Sequence, residues 1–496
     1  MKRKEIVIRE GDKASFRNLT DFCVGTGRLD LALHREYQDE LKYVQEKCGY
    51  KYIRGHGLLS DGMGIYQEYP LPGGGKRIGY CFTYLDRVMD CYRENGLKPF
   101  LELGFMPEKL TDSPNKLFYW KAHTAPPRDM TAWTDLVAAT LRHLKERYGE
   151  EEVSSWPCEI WNEPNLPGFW EGADKGKYLE LYRATVPAVK SVLPGMRVGG
   201  PAICGGEGSQ QWIADFLVFC RDHAVPVDFV TRHAYMGQTP ERRGRYTYHK
   251  MNSPEDLIAE MRTSREIIDA FPEYRGMPMY ITEFNTSYDP FCPIHDTPYN
   301  AALVSALLSR LGDVADGYSY WTFGDVFEEK GIPGRPFHGG FGMAAAGCIP
   351  KPTLWAFSFF ASLKGDAVYR DNAAVITRGA EGGHEGVIWN LCQGGKADLD
   401  VTLDLPEGEP FTAFLETVDD ESGDPARLWH LMGEPASLSE EQVSLLRDAA
   451  RPRITALIPE GGKLRFTLRP NAVARLRTMK AAGESDPGYD YDWYLR

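Results

Sequence analysis

An alternation of short β-rich runs with amphipathic helical stretches constrains the fold of this chain more than any other feature. Eight such runs recur between residues 22 and 323. They are FCVGTG (22–27), YKYIRGHG (50–57), LKPFLELGF (97–105), CEIWNEPN (158–165), RVGGPAI (197–203), VDFVTRHAY (227–235), MYITEFN (279–285) and GYSYWTF (317–323). Strands that alternate with helices are joined by right-handed crossovers and favour a parallel sheet.

The stretches between the runs have helical periodicity. The apolar residues of TAWTDLVAATLRHLKERYG recur at helical spacing, and Gly149 stands at the position of a C-cap. Eight strand–helix units indicate an α/β fold, a closed (β/α)8 TIM barrel, over residues 22–365. A doubly wound open sheet is the alternative, but no GxGxxG motif follows the first run.

The pattern changes after residue 365. AVITR, GVIWNLC, ADLDVTLDLP, PFTAFLETVD and KLRFTLRPNAVARLR are short apparent strands separated by turn residues, as is typical of a β-sandwich. We therefore predict an appended C-terminal β-sandwich domain over 366–480, with SLSEEQVSLLRDAA (437–450) as a helical insertion. The segment 1–21 contains the strand-like KEIVIRE and is expected to join the sandwich. The polar, aromatic tail 481–496 is unassigned or belongs to an oligomer contact.

Composition excludes several classes of partner. With 57 Lys and Arg against 70 Asp and Glu, the net charge of -13 argues against nucleic acid, whose phosphates favour basic patches. The ten cysteines form no CxxC pair and no Cys/His cluster with zinc spacing, so we predict no metal. No run reaches the length of a signal-peptide core or a membrane span. We therefore expect a cytoplasmic protein without a membrane partner.

Polar side chains stand at the ends of several predicted strands. In a (β/α)8 barrel these ends form one rim, where the chemistry takes place. In chain order the polar and aromatic groups there are Arg54, His56, Asn162, Glu163, His233, Tyr235, Glu283, Trp321, Asp325, Glu328 and Glu329. Buried positions tolerate such groups only when they are paired or used. The set therefore predicts a site at one mouth of the barrel.

Glu163 and Glu283 form a candidate pair of carboxylates. Glycoside hydrolysis needs two: one protonates the leaving oxygen, and the other attacks the anomeric carbon or activates water. A separation of about 5–5.5 Å gives retention and a wider one inversion, a distance that these patterns do not supply. Sugar rings stack on aromatic side chains, for which the candidates are Phe105, Phe169, Trp170, Tyr235 and Trp321.

Structural interpretations of the same residues stay open at this point. A lone glutamate at a strand end is commonly a surface residue or an ion-pair partner, and a lone histidine is commonly a hydrogen-bonded structural residue. Glu328 and Glu329 fit a solvated loop equally well. A metal site is a further option, but no HExxH or similar spacing supports it.

The series YIRGHGLLSD, EIWNEPNLPGFW, VDFVTRHA, ITEFNTSY and YSYWTFGDVFEE, in that order, resembles glycoside hydrolase family 39, and within it the bacterial β-xylosidases. The resemblance runs through nearly the whole chain, including the sandwich segment. It implies a retaining β-D-xylosidase that uses a covalent glycosyl-enzyme intermediate and no cofactor. We expect exo action, with xylose released from the non-reducing end of short xylo-oligosaccharides. The resemblance also implies a homo-oligomer, often a tetramer.

The resemblance also implies roles for individual residues. Glu163 matches the family's general acid/base and Glu283 its nucleophile, while Asn162 matches the residue that binds the sugar 2-hydroxyl. The further residues expected to line the xylose subsite are His56, His233, Tyr235, Trp321, Glu328 and Glu329. We expect burial and the neighbouring Glu283 to raise the pKa of Glu163, and Arg54 to favour an ionised Glu283.

Two departures from the family pattern bear on specificity. The nucleophile motif, often TEYN, is TEFN here, so Phe284 lacks a hydroxyl, and Tyr235 stands where some relatives have small polar residues. An α-L-iduronidase-like or arabinopyranosidase-like activity is the alternative within the family. The acidic loop 325–329 disfavours a substrate carboxylate. A non-catalytic carbohydrate-binding barrel is the alternative of another class, and retention of both acids argues against it.

Overall fold

A computed structural model describes residues 2–379, 383–406, 411–480 and 488–496 of the chain. Eight parallel strands form a closed barrel in chain order, and the predicted (β/α)8 fold is confirmed. These strands are β1 (Cys23–Arg28), β2 (Tyr52–His56), β3 (Lys98–Leu103), β4 (Cys158–Ile160), β5 (Val198–Ile203), β6 (Phe229–Tyr235), β7 (Met279–Asn285) and β8 (Gly317–Tyr320).

A helix follows each barrel strand and packs on the outside of the sheet. The helices are α1 (Arg35–Cys48), α2 (Thr83–Glu94), α3 (Met130–Tyr148), α4 (Lys175–Val192), α5 (Ser209–Asp222), α6 (Pro254–Ala270), α7 (Pro298–Leu308) and α8 (Pro352–Ser362). A short helix, Glu150–Ser154, follows α3. In the described part of the chain, none of the helices has both the length and the apolar character needed to cross a membrane.

Local sequence signals set the ends of these helices. At the start of α3, the side chain of Asp129 accepts a 2.9 Å hydrogen bond from the backbone N–H of Thr131. At its end, Gly149 has φ of 92°, a conformation that favours glycine. Ser253 and Asp256 form a reciprocal capping box at the start of α6. These caps satisfy backbone groups that the helices themselves leave unpaired.

Two barrel strands end three or more residues before the ends of the runs that predicted them. Strand β4 ends at Ile160 and β8 ends at Tyr320. Directly after β4 the backbone leaves the extended conformation, since φ is 70° at Trp161 and 45° at Glu163. Non-glycine residues adopt such angles at a cost, and they concentrate at functional sites. Glu163 is therefore presented by an irregular turn and not by a regular strand.

Additional short elements enlarge the loops that follow barrel strands, at the same end of the barrel. The hairpins pair Tyr66–Pro70 with Lys76–Tyr80, Lys116–Leu117 with Ala122–His123, Glu241–Arg243 with Tyr246–Tyr248, and Ala344–Ala345 with Ile349–Pro350. The 3-10 helices in these loops are Leu29–Leu33, Glu108–Leu110, Glu171–Ala173 and Pro293–Asp296. A further 3-10 helix, Leu311–Asp313, lies between α7 and β8, at the opposite end of the barrel.

Two further sheets lie beside the barrel and form the predicted β-sandwich. The larger contains, in order, Asp366–Arg370, Ala374–Arg378, His384–Trp389, Val473–Lys480, Phe411–Val418 and Arg453–Leu457. The smaller contains Lys2–Val7, Leu399–Asp404 and Lys463–Leu468. Buried residues of both sheets, including Ile6, Ile376 and Leu476, form one apolar core.

The N-terminal strand crosses to this second unit, where Lys2–Val7 pairs in parallel with Leu399–Asp404. Helices Pro425–Leu431 and Glu440–Ala449 lie between strands of the larger sheet in the chain. Glu440–Ala449 falls within the helical insertion predicted over 437–450, whereas Pro425–Leu431 precedes it and was not predicted. Residues 481–487 of the predicted tail lie outside the described residues.

Candidate active site

A cavity of about 520 Å³ lies at the C-terminal end of the barrel strands. Its volume is within the range of ordinary small-molecule sites. Six of the residues expected to form a site line it: His56, Glu163, Tyr235, Glu283, Trp321 and Glu329. The cavity therefore coincides with the rim on which the strand-end polar groups were expected to meet.

The two candidate carboxylates face each other across this cavity. One oxygen of Glu163, one oxygen of Glu283 and a ring nitrogen of His233 all lie within 4.8 Å of one another. Nδ1 of His233 is 2.8 Å from Oε1 of Glu163 and 3.5 Å from Oε2 of Glu283. All three side chains are buried. Acids that are 120 residues apart in the chain thus form one buried pair.

Both oxygens of Glu283 are held by donors. Nη1 of Arg54 donates a 2.8 Å hydrogen bond to Oε1, and the hydroxyl of Tyr235 donates a 2.7 Å hydrogen bond to Oε2. Nε2 of His56 lies 3.5 Å from Oε1. Hydrogen bonds and a nearby cation favour the charged form of a carboxyl group. The surroundings therefore suit an ionised Glu283 with a fixed orientation.

Glu163 has surroundings of the opposite kind. Burial raises the pKa of its carboxyl well above the usual range, and the neighbouring Glu283 raises this pKa further, against a smaller lowering by Arg54. Burial and then Arg54 hold the pKa of His233 well below its ordinary value, so its ring is neutral. A neutral imidazole does not stabilise a carboxylate as a cation would. Glu163 therefore suits a proton donor.

Asn162 lies beside the acid pair on the same turn. Its Oδ1 accepts a 2.7 Å hydrogen bond from Nη2 of Arg54, which sets the orientation of the amide. Its Nδ2 is buried without a hydrogen-bond partner among the described residues. Buried polar atoms usually have a partner, so such an atom calls for an explanation. A donor left in this state is suited to a ligand hydroxyl.

Two buried acids below the rim escaped the sequence analysis. Nε of Arg54 donates a 2.6 Å hydrogen bond to Glu159, and its Nη2 lies 3.0 Å from Glu102. Both glutamates stand within apolar runs, CEI and FLEL, and both are fully buried. An acid inside an apolar strand is rarely buried unless it is paired. A glutamate within each of these apolar runs was therefore a signal in the sequence that pointed to a buried ion pair.

The loop after β8 contributes Trp321 and Glu329 to the cavity. The ring of Trp321 lies 4.6 Å from that of His56. Burial raises the pKa of Glu329 to about 8, with His56 lowering it and Glu283 raising it. Glu328 is placed differently: its carboxylate accepts a 2.6 Å hydrogen bond from Arg28, and it does not line the cavity. The structure therefore separates the two adjacent acids.

Comparison with known proteins identifies the family. The model of glycosyl hydrolases family 39 matches residues 5–464. The chain belongs to this family. It is 45% identical over 457 residues to a β-xylosidase of Geobacillus stearothermophilus, covering 91% of this chain and 90% of that relative. It is 32% identical over 446 residues to a β-xylosidase of Caldicellulosiruptor saccharolyticus, covering 86% and 87% of the two chains.

A solved structure has the same architecture. The crystal structure of a monomeric β-xylosidase from Caulobacter crescentus CB15 has a TM-score of 0.87 and 31% sequence identity, covering 97% of this chain and 100% of that one. The protein is therefore a glycoside hydrolase of family 39 that acts on O-glycosyl bonds.

In this family 39 enzyme, the aromatic candidates divide between the cavity and the core. Phe169, Tyr235 and Trp321 line the cavity, whereas Phe105 and Trp170 are completely buried and do not line it. Lining residues that the sequence analysis did not single out are Leu166, Cys204, Asn252, Glu260, Tyr288 and Phe341. Glu260 lies on α6 and the others lie in loops, where periodicity carries little information about contacts.

Phe284 does not reach the cavity. Its ring lies 5.6 Å from that of Tyr318, 5.5 Å from that of Tyr320 and 6.3 Å from that of Phe357. Because neighbouring strand residues point to opposite faces, Phe284 packs between the barrel and α8 while Glu283 points inward. The missing tyrosine hydroxyl therefore affects this layer of the family 39 barrel and not the sugar site.

Within the described part of the chain, two groups of side chains have ligand atoms close enough together to hold a cation. One is the active-site group of Glu163, His233 and Glu283. The other is Asp61, Glu108 and His123, in loops near the rim. In the first group, Arg54 and Tyr235 already engage both oxygens of Glu283. In the second, Lys116 donates a 3.1 Å hydrogen bond to Glu108.

Proposed function

We propose that the protein is a retaining, exo-acting β-D-xylosidase that releases xylose from the non-reducing end of short xylo-oligosaccharides. The observation that carries this proposal is the proximity of the acids, since oxygens of Glu163 and Glu283 lie within 4.8 Å. Retaining enzymes separate their two carboxyl groups by about 5–5.5 Å, and inverting enzymes by about 6.5–9.5 Å to admit a water molecule. The close pair supports the retaining mechanism.

In the first step of this mechanism, Glu283 attacks the anomeric carbon of xylose. Arg54 and Tyr235 hold its two oxygens and so direct the carboxylate before the attack. Glu163 gives its proton to the glycosidic oxygen as that bond breaks, and the rest of the substrate leaves as an alcohol. The product of this step is an ester between Glu283 and the sugar, with Glu163 ionised.

In the second step, water replaces Glu283 at the anomeric carbon. Esterification removes the negative charge of Glu283, which is one of the causes that raise the pKa of Glu163. In this intermediate the carboxyl group of Glu163 is a stronger acid than in the free enzyme, so it stays ionised. Its carboxylate can therefore accept a proton from the attacking water. Cleavage of the ester restores both carboxyl groups and releases xylose with its configuration retained.

The cavity supports a neutral sugar as the substrate. Among the described residues that line it there is no lysine or arginine. An α-L-iduronide carries a carboxylate, for which a cationic side chain would be expected, while Glu329 and Glu260 contribute acids to the wall. The naming of two relatives as β-xylosidases supports xylose as the glycone.

Packed aromatic rings back part of the cavity wall, which supports exo action. Trp321 and Phe341 line this part, and the ring centroid of Phe327 lies 6.0 Å from that of Trp321 and 5.2 Å from that of Phe341. The ion pair of Arg28 with Glu328 joins the end of β1 to the loop after β8. A wall that is braced in this way suits a terminal sugar more than the interior of a long chain.

The proposal is tested on aryl glycosides: β-D-xyloside, α-L-arabinopyranoside, β-D-glucoside and α-L-iduronide. We expect the β-xyloside to be turned over fastest and NMR to detect β-xylose as the first product. Glu283→Ala should abolish turnover, and azide should restore it with formation of the α-xylosyl azide. Glu163→Ala should instead give the β-azide. Glu266→Ala, which removes an exposed acid on α6, serves as the matched control.

Other results would redirect the proposal. α-Xylose as the first product would contradict retention. Faster turnover of another glycoside would change the assigned substrate but leave the roles of the two acids as proposed. Turnover of none of the glycosides would favour a non-catalytic carbohydrate-binding barrel. Release of xylose from xylobiose and xylotriose, without cleavage of internal bonds in long xylan, is expected for exo action.

The cytoplasmic location and the homo-oligomer, such as a tetramer, stay predictions. Light scattering on the purified protein would measure the mass in solution against the 55.9 kDa of one chain.

A further inference from the structure

Glu102 contacts Arg54 and His56, two side chains that face Glu283. It lies on β3, is fully buried and does not line the cavity. Its Oε2 is 2.6 Å from Nδ1 of His56 and 3.0 Å from Nη2 of Arg54. Because Glu102 does not line the cavity, it influences the reaction most directly through the two side chains that it contacts, besides a longer-range effect of its charge that raises the pKa of Glu163.

His56 lies between Glu102 and the cavity. With Nδ1 engaged by Glu102, its Nε2 points to the acids, 3.5 Å from Oε1 of Glu283 and 4.0 Å from Oε1 of Glu329. The ring centroids of Trp321 and Phe118 lie 4.6 Å and 6.2 Å from that of the imidazole. A carboxylate on one ring nitrogen sets the orientation of a histidine and determines what the other nitrogen offers.

We propose that Glu102 is a positioning residue, which keeps His56 cationic and holds its Nε2 toward Glu283 and Glu329. This inference rests on the proposed function and deepens it. Glu102 thereby supplies the nucleophile with a second positive neighbour besides Arg54.

The charges around His56 support this assignment. Burial lowers the pKa of His56, but Glu102 and then Glu283 raise it, and against the opposing Arg54 the net result is a pKa above the ordinary value. Glu329 faces the same nitrogen. His233, across the cavity, is neutral and adds no charge. Glu102 is the group in hydrogen-bond contact with His56, so the cation depends on it most directly.

The sign of the effect follows from the order of the groups. Glu102 and Glu283 lie at opposite nitrogens of the imidazole, so the His56 cation is nearer to Glu283 than the Glu102 charge is. If Glu102 loses its charge and His56 its proton, Glu283 loses the nearer, favourable charge. The negative charge that Glu283 needs for its attack is then less well stabilised.

The test is Glu102→Gln, which keeps the shape and removes the charge. The pH profile of kcat/KM is measured on the glycoside that the wild type hydrolyses fastest. His56 is titrated by NMR in protein with isotope-labelled histidine. Its signal is identified as the one that is lost in His56→Asn. We expect the acidic limb to move up by about one pH unit, with about a tenfold loss of kcat/KM at that limb. The His56 signal should titrate at lower pH than in the wild type.

Glu159→Gln is the matched control, since it removes a buried acid from Arg54 without touching His56. It should leave the His56 titration unchanged. The double variant Glu102→Gln/His56→Asn should be little worse than His56→Asn alone, because both changes remove one interaction. If Glu102→Gln does not fold, Glu102→Asp shortens the reach to Nδ1 and should shift the titration in the same direction.

An unchanged His56 titration, an unmoved acidic limb, or fully additive losses in the double variant would each overturn the inference. These results are distinct from a failure of the proposed function. If the wild type hydrolysed no glycoside, the function would fail, while the NMR titration would still decide whether Glu102 controls His56.

Discussion

The hydroxyl of Tyr235 donates a 2.7 Å hydrogen bond to Oε2 of Glu283. Tyr235 ends β6, and Glu283 lies on the adjacent strand β7, so the contact spans neighbouring strands at the rim. It leaves the nucleophile candidate with a protein donor on each oxygen, since Arg54 engages Oε1. The orientation of this carboxylate is therefore set before a sugar enters.

The first prediction concerns that hydrogen bond. Tyr235→Phe keeps the ring and removes the donor, and a hydrogen bond to a charged group contributes about 1.5–3 kcal/mol. We expect kcat/KM for the aryl β-xyloside to fall by roughly ten- to a hundredfold, with little change in melting temperature. Tyr248→Phe, on an exposed ring of the hairpin after β6, is the control. Equal activity of both variants would exclude a role for the hydroxyl.

The second prediction concerns Glu163 and pH. Activity should require its protonated form and decline as the pH rises through its pKa, which burial and Glu283 raise. Glu163→Gln has no proton to lose there. On an aryl xyloside with an activated leaving group, which needs little protonation, its residual kcat/KM should lack the alkaline decline. A decline at the same pH in Glu163→Gln would assign that limb to another group.

The third prediction links Glu329 to stability. Its folded pKa of about 8 lies above the ordinary 4.5, so its contribution to stability is present below pH 4.5 and is lost as the pH rises through 8. Glu329→Gln should therefore raise the melting temperature at pH 8, by about 2–4 °C, and change it little at pH 4. Glu328→Gln removes a partner of Arg28 and should not stabilise the protein at either pH.

The fourth prediction concerns Phe284. Because its ring packs against Tyr320 and Phe357 outside the barrel, Phe284→Tyr should leave the preference for β-xyloside over α-L-arabinopyranoside unchanged within about twofold, less than 1 kcal/mol. Any effect should appear in the melting temperature. A changed preference between the two glycosides would show that packing in this layer affects the sugar site.

The fifth prediction concerns a buried cation beside the site. Nζ of Lys351 lies 2.6 Å from Asp296 and 2.6 Å from Asp325, and its side chain has no exposed surface. Lys351→Met would leave two buried acids without their cation, at a cost of about 3–5 kcal/mol. Lys116→Met breaks an exposed pair with Glu108 and should cost about 1 kcal/mol or less. Thermal unfolding of both variants measures the difference.

Much of the architecture could be predicted because it depends on local patterns. Strand and helix periods are visible along the chain, and eight repeats of the unit allow few closed arrangements. The polar ends of the runs converge because parallel strands share one rim. On this basis His56, Glu163, Glu283 and Trp321 could be placed at one mouth, and the structure brings them together there.

Other features were hidden because they depend on irregular backbone. The pairing of β6 with β7 shifts by one residue between Arg232 and His233, and this shift sets His233 opposite Glu283. A rule of strict alternation cannot anticipate a bulge. Loops likewise separate Glu329, in the cavity, from Glu328, which is paired with Arg28.

The barrel, its order of strands and the residues that reach the rim follow from the spacing of apolar and polar side chains along the chain. Which atoms meet at the rim depends on the tertiary structure. The approach of Glu163 to Glu283 within 4.8 Å depends on closure of the barrel and on the turn at Trp161. Both come from packing between segments distant in the chain, which no local pattern encodes.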